Sequence, residues 1–248
     1  MAKPATIAKS AKITEALDKM LEGGFDPLIA VNNGTVVGTV SRQAIAQKLG
    51  SRQNSDLAPT AIHVASVVEE DFTSVYPDEN VNILVPLLQK YKLVVVYDSD
   101  HKLIGQVAAG DLLKKYHPEN GIADAIEKAV TIEADERVVH LRRRMLDDNI
   151  TRFVVTEHEK YTGIVTETNV AIAMRNFRKS VDDNHQEHRI RNLLVKDIMS
   201  APLISAERTA KVADVVSIML KKNISAVAVL ETGKLAGFVT RHSLVNAL

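Results

Sequence analysis

The sequence predicts an α+β (mixed α/β) protein made of four tandem copies of one β-α-β-β-α unit. Three observations lead there. A glycine-led phrase recurs four times in the 248 residues, a strand-like apolar run precedes it each time, and helically spaced apolar residues precede that run. Internal repeats dictate architecture, so they are read first.

The phrase reads Gly38-Thr-Val-Ser-Arg-Gln-Ala-Ile45, then Gly105-Gln-Val-Ala-Ala-Gly-Asp-Leu112. It returns as Gly163-Ile-Val-Thr-Glu-Thr-Asn-Val170 and Gly237-Phe-Val-Thr-Arg-His-Ser-Leu244, with the glycines 67, 58 and 74 residues apart.

Each unit opens on a short apolar run, such as Val130-Thr-Ile132 or Leu203-Ile-Ser205. A helix follows. Val138, Leu141, Met145 and Leu146 recur at helical spacing in copy three, as do Val212, Val215, Val216, Met219 and Leu220 in copy four. The next element is a strand: Leu28-Ile-Ala-Val31, Val94-Val-Val-Tyr97, Phe153-Val-Val-Thr156 and Val227-Ala-Val-Leu230. Turn pairs such as Asn33-Gly34 and Thr232-Gly233 then fold the chain into an antiparallel hairpin that ends in the phrase. A short amphipathic helix closes the unit, as in Leu112-Leu113 or Val170-Ala-Ile-Ala-Met174.

The expected divisions are 1–58, 59–117, 118–179 and 180–248, the last carrying a linker helix ahead of copy four. A three-stranded sheet this small buries too little surface to stand alone. Copies one and two should therefore mate sheet to sheet, and three with four. The Pro- and Gly-bearing stretch His117-Pro-Glu-Asn-Gly121 marks the break between the pairs. Copy one looks clipped, lacking the leading segment seen as Val195-Lys-Asp-Ile-Met-Ser200 in copy four.

Composition narrows the function. Lys+Arg and Asp+Glu are 31 each, which argues against a dedicated nucleic-acid binder. With no cysteine, thiolate metal sites, disulfides and cysteine nucleophiles are excluded. The sequence has neither the apolar core of a signal peptide after Met1 nor a bilayer-length apolar stretch, and the expectation is a soluble cytoplasmic protein.

With the phrases, the hairpins and Val195-Lys-Asp-Ile-Met199 followed by Pro202 in view, the chain resembles the cystathionine β-synthase (CBS) domain family. The four copies would form two paired (Bateman) modules. This four-copy form is similar to archaeal stand-alone members and to the gamma subunit of AMP-activated kinase. The resemblance implies binding of AMP, ADP, ATP or S-adenosylmethionine in clefts between paired copies, without chemistry on the ligand. It also implies a phosphate contact for Arg152, which opens a strand after Thr151.

The phrase suggests how a ligand would be held. Its glycine lets backbone approach closely. The Thr behind it would cap a helix whose free N–H groups favour phosphate. Three residues on, a short polar side chain could reach ribose hydroxyls. The candidates are Thr166 and Asn169 in copy three, Thr240 and His242 in copy four, Asp111 and Lys92 in copy two, and Ser41 in copy one, with the second module favoured. Asp111 follows Ala108 rather than Thr, and Ala44 in copy one cannot bond a ribose. Capping alone would also explain Thr at these positions, but only Asp111 is a carboxylate, so no copy is expected to complete a capping box. Aromatics are only 4 % of the chain, so ring stacking should add little to holding an adenine.

Other features read as bland. His185 and His188 stand at i, i+3 in an acidic insert without a second cluster, so no metal is expected. Arg142-Arg143-Arg144 point three ways around a helix and pair locally, as Arg143 with Asp147. No nucleophile elbow, Walker loop or His-Glu-x-x-His occurs, so an enzyme is not expected. A sensor without an effector domain needs an effector protein or self-association, leaving a homodimer open. The competing readings are a ligand-free interaction scaffold and, behind it, a nucleic-acid-binding regulator.

Overall fold

The computed structural model describes residues 2–50, 61–119, 121–180 and 192–248. Repeat one runs β1 (Thr6–Ala8), α1 (Ile13–Gly23), β2 (Leu28–Asn32), β3 (Thr35–Val40) and α2 (Arg42–Gly50). Repeat two runs β4 (Thr73–Val75), α3 (Leu84–Lys90), β5 (Leu93–Tyr97), β6 (Leu103–Ala108) and α4 (Ala109–Leu112). Repeat three runs β7 (Ile126–Glu127), β8 (Thr131–Glu133), α5 (Val138–Asp147), β9 (Arg152–Glu157), β10 (Lys160–Thr166) and α6 (Glu167–Ser180). Repeat four runs α7 (Val195–Ile198), β11 (Ser205–Glu207), α8 (Val212–Lys221), β12 (Ala226–Glu231), β13 (Lys234–Thr240) and α9 (Arg241–Asn246). His185 and His188 lie outside the described residues, as does most of the expected linker helix.

In every repeat the strand ahead of the first long helix (β1, β4, β8 and β11) pairs parallel with the strand after it, and the hairpin pairs antiparallel. The Asn33-Gly34 turn has positive φ at both residues, 49° and 83°, as a two-residue turn between right-twisted strands demands. Each hairpin also carries a register shift beside the phrase glycine, such as that between Ala30 and Val31, opposite Gly38.

The glycines serve protein backbone. The segment leading into one repeat crosses over and bonds the hairpin of its partner. Thr39 and Glu69 exchange N–H···O bonds of 2.9 and 2.8 Å, and Ile164 and Ser200 do the same. A Cβ on Gly38 would stand 2.3 Å from the Glu69 carbonyl oxygen, and one on Gly237 2.4 Å from that of Glu127. The close approach expected at these glycines is thus made by a crossing segment of the same chain. Contrary to the expectation of a clipped copy one, its first residues make the same crossing into repeat two, where Ala2 and Gln106 exchange two bonds of 3.0 Å. The crossing adds β7 to the sheet of repeat four, whose order is β11-β12-β13-β7, against the three strands expected.

The sheets mate as expected. Ile29 and Val36 of repeat one meet Leu93 and Val95 of repeat two, and Val154 of repeat three meets Ala228 and Phe238 of repeat four. The modules then join through helices. α2 packs on α6, and α9 packs on α3 and α4. Repeats two and four share one continuous core, with Val94 and Leu113 beside Val215 and Leu244. On the other side, fully buried Ala171 of α6 sits in the core of repeat one.

Candidate functional site

The helix-start residues are occupied first by their own helices. Thr240 Oγ1 accepts from the Ser243 N–H at 2.8 Å, and Ser243 Oγ accepts from the Thr240 N–H at 2.9 Å. Thr166 and Asn169 form the matching pair: Asn169 Oδ1 accepts from the Thr166 N–H at 2.9 Å and from its hydroxyl at 2.7 Å, and the Asn169 N–H reaches Thr166 Oγ1 at 3.4 Å. These are complete capping boxes, against the expectation that none would be. A carboxylate is not needed because the Asn carbonyl and the Ser hydroxyl are short acceptors that reach the same N–H. Asp111 supplies half a box, its Oδ2 accepting from the Ala108 N–H at 3.2 Å while Oδ1 takes Lys114 at 3.1 Å. Ser41, fully buried, accepts from the Ala44 N–H at 3.2 Å. Thr240→Ala should cost about 1 kcal/mol of stability, the usual loss for a cap; a denaturant titration reads it, and an unchanged midpoint would remove the capping role.

Four of the second-module candidates, Thr151, Arg152, Thr166 and Asn169, come together at one hairpin mouth, while Thr240 caps its own helix in repeat four. Arg152 lies opposite Thr166 in the β9–β10 register. Its Nε donates to Thr151 Oγ1 at 3.3 Å, while the Thr151 carbonyl accepts from the Glu167 N–H at 3.1 Å. Asn169 Nδ2 donates across the repeat boundary to Ser200 Oγ at 3.1 Å. Arg152 Nη1 is buried without a hydrogen-bond partner. Burial lowers the pKa of the Arg152 guanidinium, partly offset by the carboxylates of Glu127 and Glu167. His242 is exposed on α9 and stands apart from this group.

Arg42 and Arg241 hold equivalent places, each four residues past its phrase glycine, and both clamp helix ends. Arg42 Nη2 donates to the Met20 and Phe25 carbonyls at 3.0 and 3.2 Å; Arg241 Nη2 donates to Met219 at 2.9 Å. Cations at helix C-termini satisfy carbonyls left open there.

The open cleft lies in the first module. It encloses about 290 Å³ between Pro27 and Thr39 of repeat one and two stretches of repeat two. One stretch brings Glu69, Asp71 and Phe72; the other, leading into β5, brings Lys90, Tyr91, Lys92 and Leu93. The Tyr91 hydroxyl donates to Asp71 at 3.1 Å, and Lys90 Nζ rests 4.8 Å from the Tyr91 ring centre. The Lys92 ammonium donates to Gln43 Oε1 on α2 at 3.0 Å. Of the sequence candidates, Lys92 alone lines this cleft. Sequence reasoning missed Phe72, Tyr91, Glu69 and Asp71, and two aromatic rings line the cleft although aromatics are scarce in the chain. The Thr39–Glu69 crossing brings these residues together. The nearest signal was Lys92 itself, a cation just before the start of β5.

Glu167, the first residue of α6, is a further group the sequence did not single out. Burial raises its pKa from 4.5 to about 7; Lys92 and Arg152 pull it down and Asp26 pushes it up. The groove it lines with Ala46, Gln47 and Arg142 holds only about 30 Å³, room for a water or two.

The Arg triplet behaves as expected: Arg143 Nε donates to Asp147 at 3.2 Å, whereas Arg144 lies over the Phe153 ring. Among the described residues no cluster of three metal-ligating side chains occurs, and no helix is long and apolar enough to cross a membrane.

Four tandem β-α-β-β-α units, crossed and mated in twos with a cleft between mates, define the class. The family model described as the CBS domain matches residues 1–51, 64–118, 122–176 and 195–248, and the chain belongs to that family. CBS domains are usually regulatory ligand-binding modules. The chain is similar to uncharacterized protein MJ1404 of Methanocaldococcus jannaschii, 22 % identical over 252 residues that cover 97 % of this chain and 58 % of that protein. It thus spans a little over half of that relative's length. Protein MJ1225 of the same organism is 22 % identical over 264 residues, 97 % of this chain and 94 % of the relative. The crystal structure of MJ1225, described as a candidate archaeal homolog of g-AMPK, matches with a TM-score of 0.78 over 98 % of this chain and 95 % of that one, at 22 % identity. A conserved uncharacterized protein from Pyrococcus horikoshii matches at 0.64 over 99 % and 96 %, also at 22 % identity. These likenesses concern the fold.

Proposed function

We propose that the protein is a non-catalytic regulatory sensor that takes an adenine nucleotide or adenosyl compound (AMP, ADP, ATP or S-adenosylmethionine) between repeats one and two. The first-module cleft carries this reading. Phe72 and Tyr91 bring aromatic rings to the cleft for a purine to pack against, Lys90 and Lys92 offer charge to phosphate, and Glu69 and Asp71 can accept from a ribose diol. Its volume of about 290 Å³ falls just short of the roughly 300–1,000 Å³ usual for small-molecule pockets. The description of MJ1225 as a candidate homolog of g-AMPK points the same way. Occupancy would act by favouring one arrangement of the modules over another, read by an effector protein in the cytoplasm or by self-association.

For the second module a specific observation favours the scaffold reading: the side chains of Thr166, Asn169, Thr240 and Ser243 already bond one another. Thermal melts with each compound test the proposal. A ligand at 100 times its dissociation constant adds about 2.7 kcal/mol of stability. Lys92→Ala should weaken binding about tenfold, the worth of one charge-assisted contact, by isothermal calorimetry. If no adenine compound raises the melting temperature, the cleft is structural and the scaffold reading holds for both modules.

A further inference from the structure

We propose that Gln43 is a positioning residue for the first-module cleft. It holds the Lys92 ammonium for a ligand phosphate and ties the cleft to α2, the helix that packs on α6 of the second module. The inference rests on the ligand reading above and adds the residue through which occupancy reaches the module joint.

Lys92 stands just before β5 and lines the cleft, and its Nζ donates to Gln43 Oε1 at 3.0 Å across the boundary between repeats two and one. An ammonium has three N–H donors, so this bond leaves two for phosphate oxygens. Gln43 itself stands on a fixed post in the first turn of α2. Before it, the Arg42 N–H donates to Asp26 Oδ1 at 3.0 Å, and Arg42 Nη2 holds the carbonyls of Met20 and Phe25. After it, the Ala44 N–H donates to Ser41 Oγ at 3.2 Å. Ile45 and Leu49 of the same helix are buried in the core of repeat one, and Ala171 of α6 is buried there with them. The glutamine is therefore fixed by a helix that both modules hold, while the lysine it bonds lines the cleft.

A lysine in water samples many rotamers, and fixing its ammonium on a ligand costs that freedom. Gln43 removes part of the cost in advance, because it narrows the positions that Nζ takes before the ligand arrives. The same bond carries the effect outward. Of the described repeat-one residues, Pro27 and Thr39 line the cleft and none of α2 does. A ligand that fixes Lys92 fixes Gln43 with it, so α2 is steadied against α6 without touching the ligand. By linkage, whatever steadies α2 must also favour the ligand.

Calorimetry with AMP on the full chain tests this in wild type, Gln43→Ala, Lys92→Gln and the double variant. Gln43→Ala puts a strong helix former at a half-buried helix position, so the ligand-free melting temperature should hold. Q43A should bind AMP about threefold more weakly, the usual cost of immobilising one long side chain. K92Q, altered at an exposed position, should lose about tenfold, and adding Q43A to it should change nothing further. Hydrogen exchange supplies a second readout: at matched occupancy AMP should slow the α2 amides in wild type and leave them unchanged in Q43A. Unchanged or tighter AMP binding by Q43A, or the same loss from Q43A with and without Lys92, would overturn the positioning role and leave the ligand reading standing. Unslowed α2 amides in AMP-bound wild type would overturn the link to the module joint. No AMP binding by any of the four proteins overturns the inference together with the ligand reading.

Discussion

Phe238→Ala is expected to lower the unfolding free energy by about 3–5 kcal/mol, the range for emptying a buried aromatic site. The ring is 2 % exposed and lies between the two sheets of the second module against Val154 and Ala228. Its strand is fixed on both sides: the register sets Phe238 against Ala228 of β12 and Glu127 of β7. The surroundings cannot collapse easily into the space, because both neighbouring strands are hydrogen-bonded to β13. A denaturant titration reads the loss as a shifted midpoint at unchanged slope. A cost below about 1 kcal/mol would mean that the mated sheets repack freely.

Gly38→Val should cost about 3 kcal/mol or more, from two causes acting together. Gly38 has φ +148°, a conformation that side-chain-bearing residues rarely adopt. Its added Cβ would also meet the Glu69 carbonyl oxygen at 2.3 Å and Val68 Cγ1 at 2.7 Å. The oxygen belongs to backbone bonded to Thr39, so relief requires the crossing segment to leave. That segment carries Glu69, Asp71 and Phe72 into the cleft. The variant should therefore lose any adenine-ligand thermal shift as well as stability. Gly34→Val serves as the comparison, because a Cβ there meets nothing within 4 Å although φ is +83°. If the two variants cost the same, backbone conformation alone explains the glycine and the crossing is not held tightly.

Much of this architecture was legible in the residues. Four phrases in register gave the repeat count, and the weakness of an isolated three-stranded sheet gave the mating of neighbours. The crossing of leading segments was not legible. Pairs such as Thr39 with Glu69 link positions in different repeats, and although Thr39 lies in the recurring phrase, Glu69 belongs to no repeating pattern that would point to it. The shared core of repeats two and four was hidden for a similar reason: Val215 and Leu244 read as one repeat's own apolar stripe, and nothing local says whose stripe they face. At the candidate site, Lys92 could be found because it stands just before a strand whose start is visible in the apolar run Val94-Val-Val-Tyr97. Phe72 and Tyr91 could not, because their meeting depends on the inter-repeat register. The capping expectation failed at Asn169 and Ser243 because the search was for a carboxylate, while the geometry needs only a short acceptor three residues on.

The two places where the modules touch differ in chemistry. Repeats two and four meet through aliphatic side chains such as Val215, Met219 and Leu244. Repeats one and three meet through α2 and α6, with Arg175–Asp18, Gln43–Lys92 and Glu167 beside the contact. Ions in solution screen charge and leave aliphatic contact nearly untouched. The contact between repeats one and three, with its ion pair, therefore feels salt more than the aliphatic core that repeats two and four share.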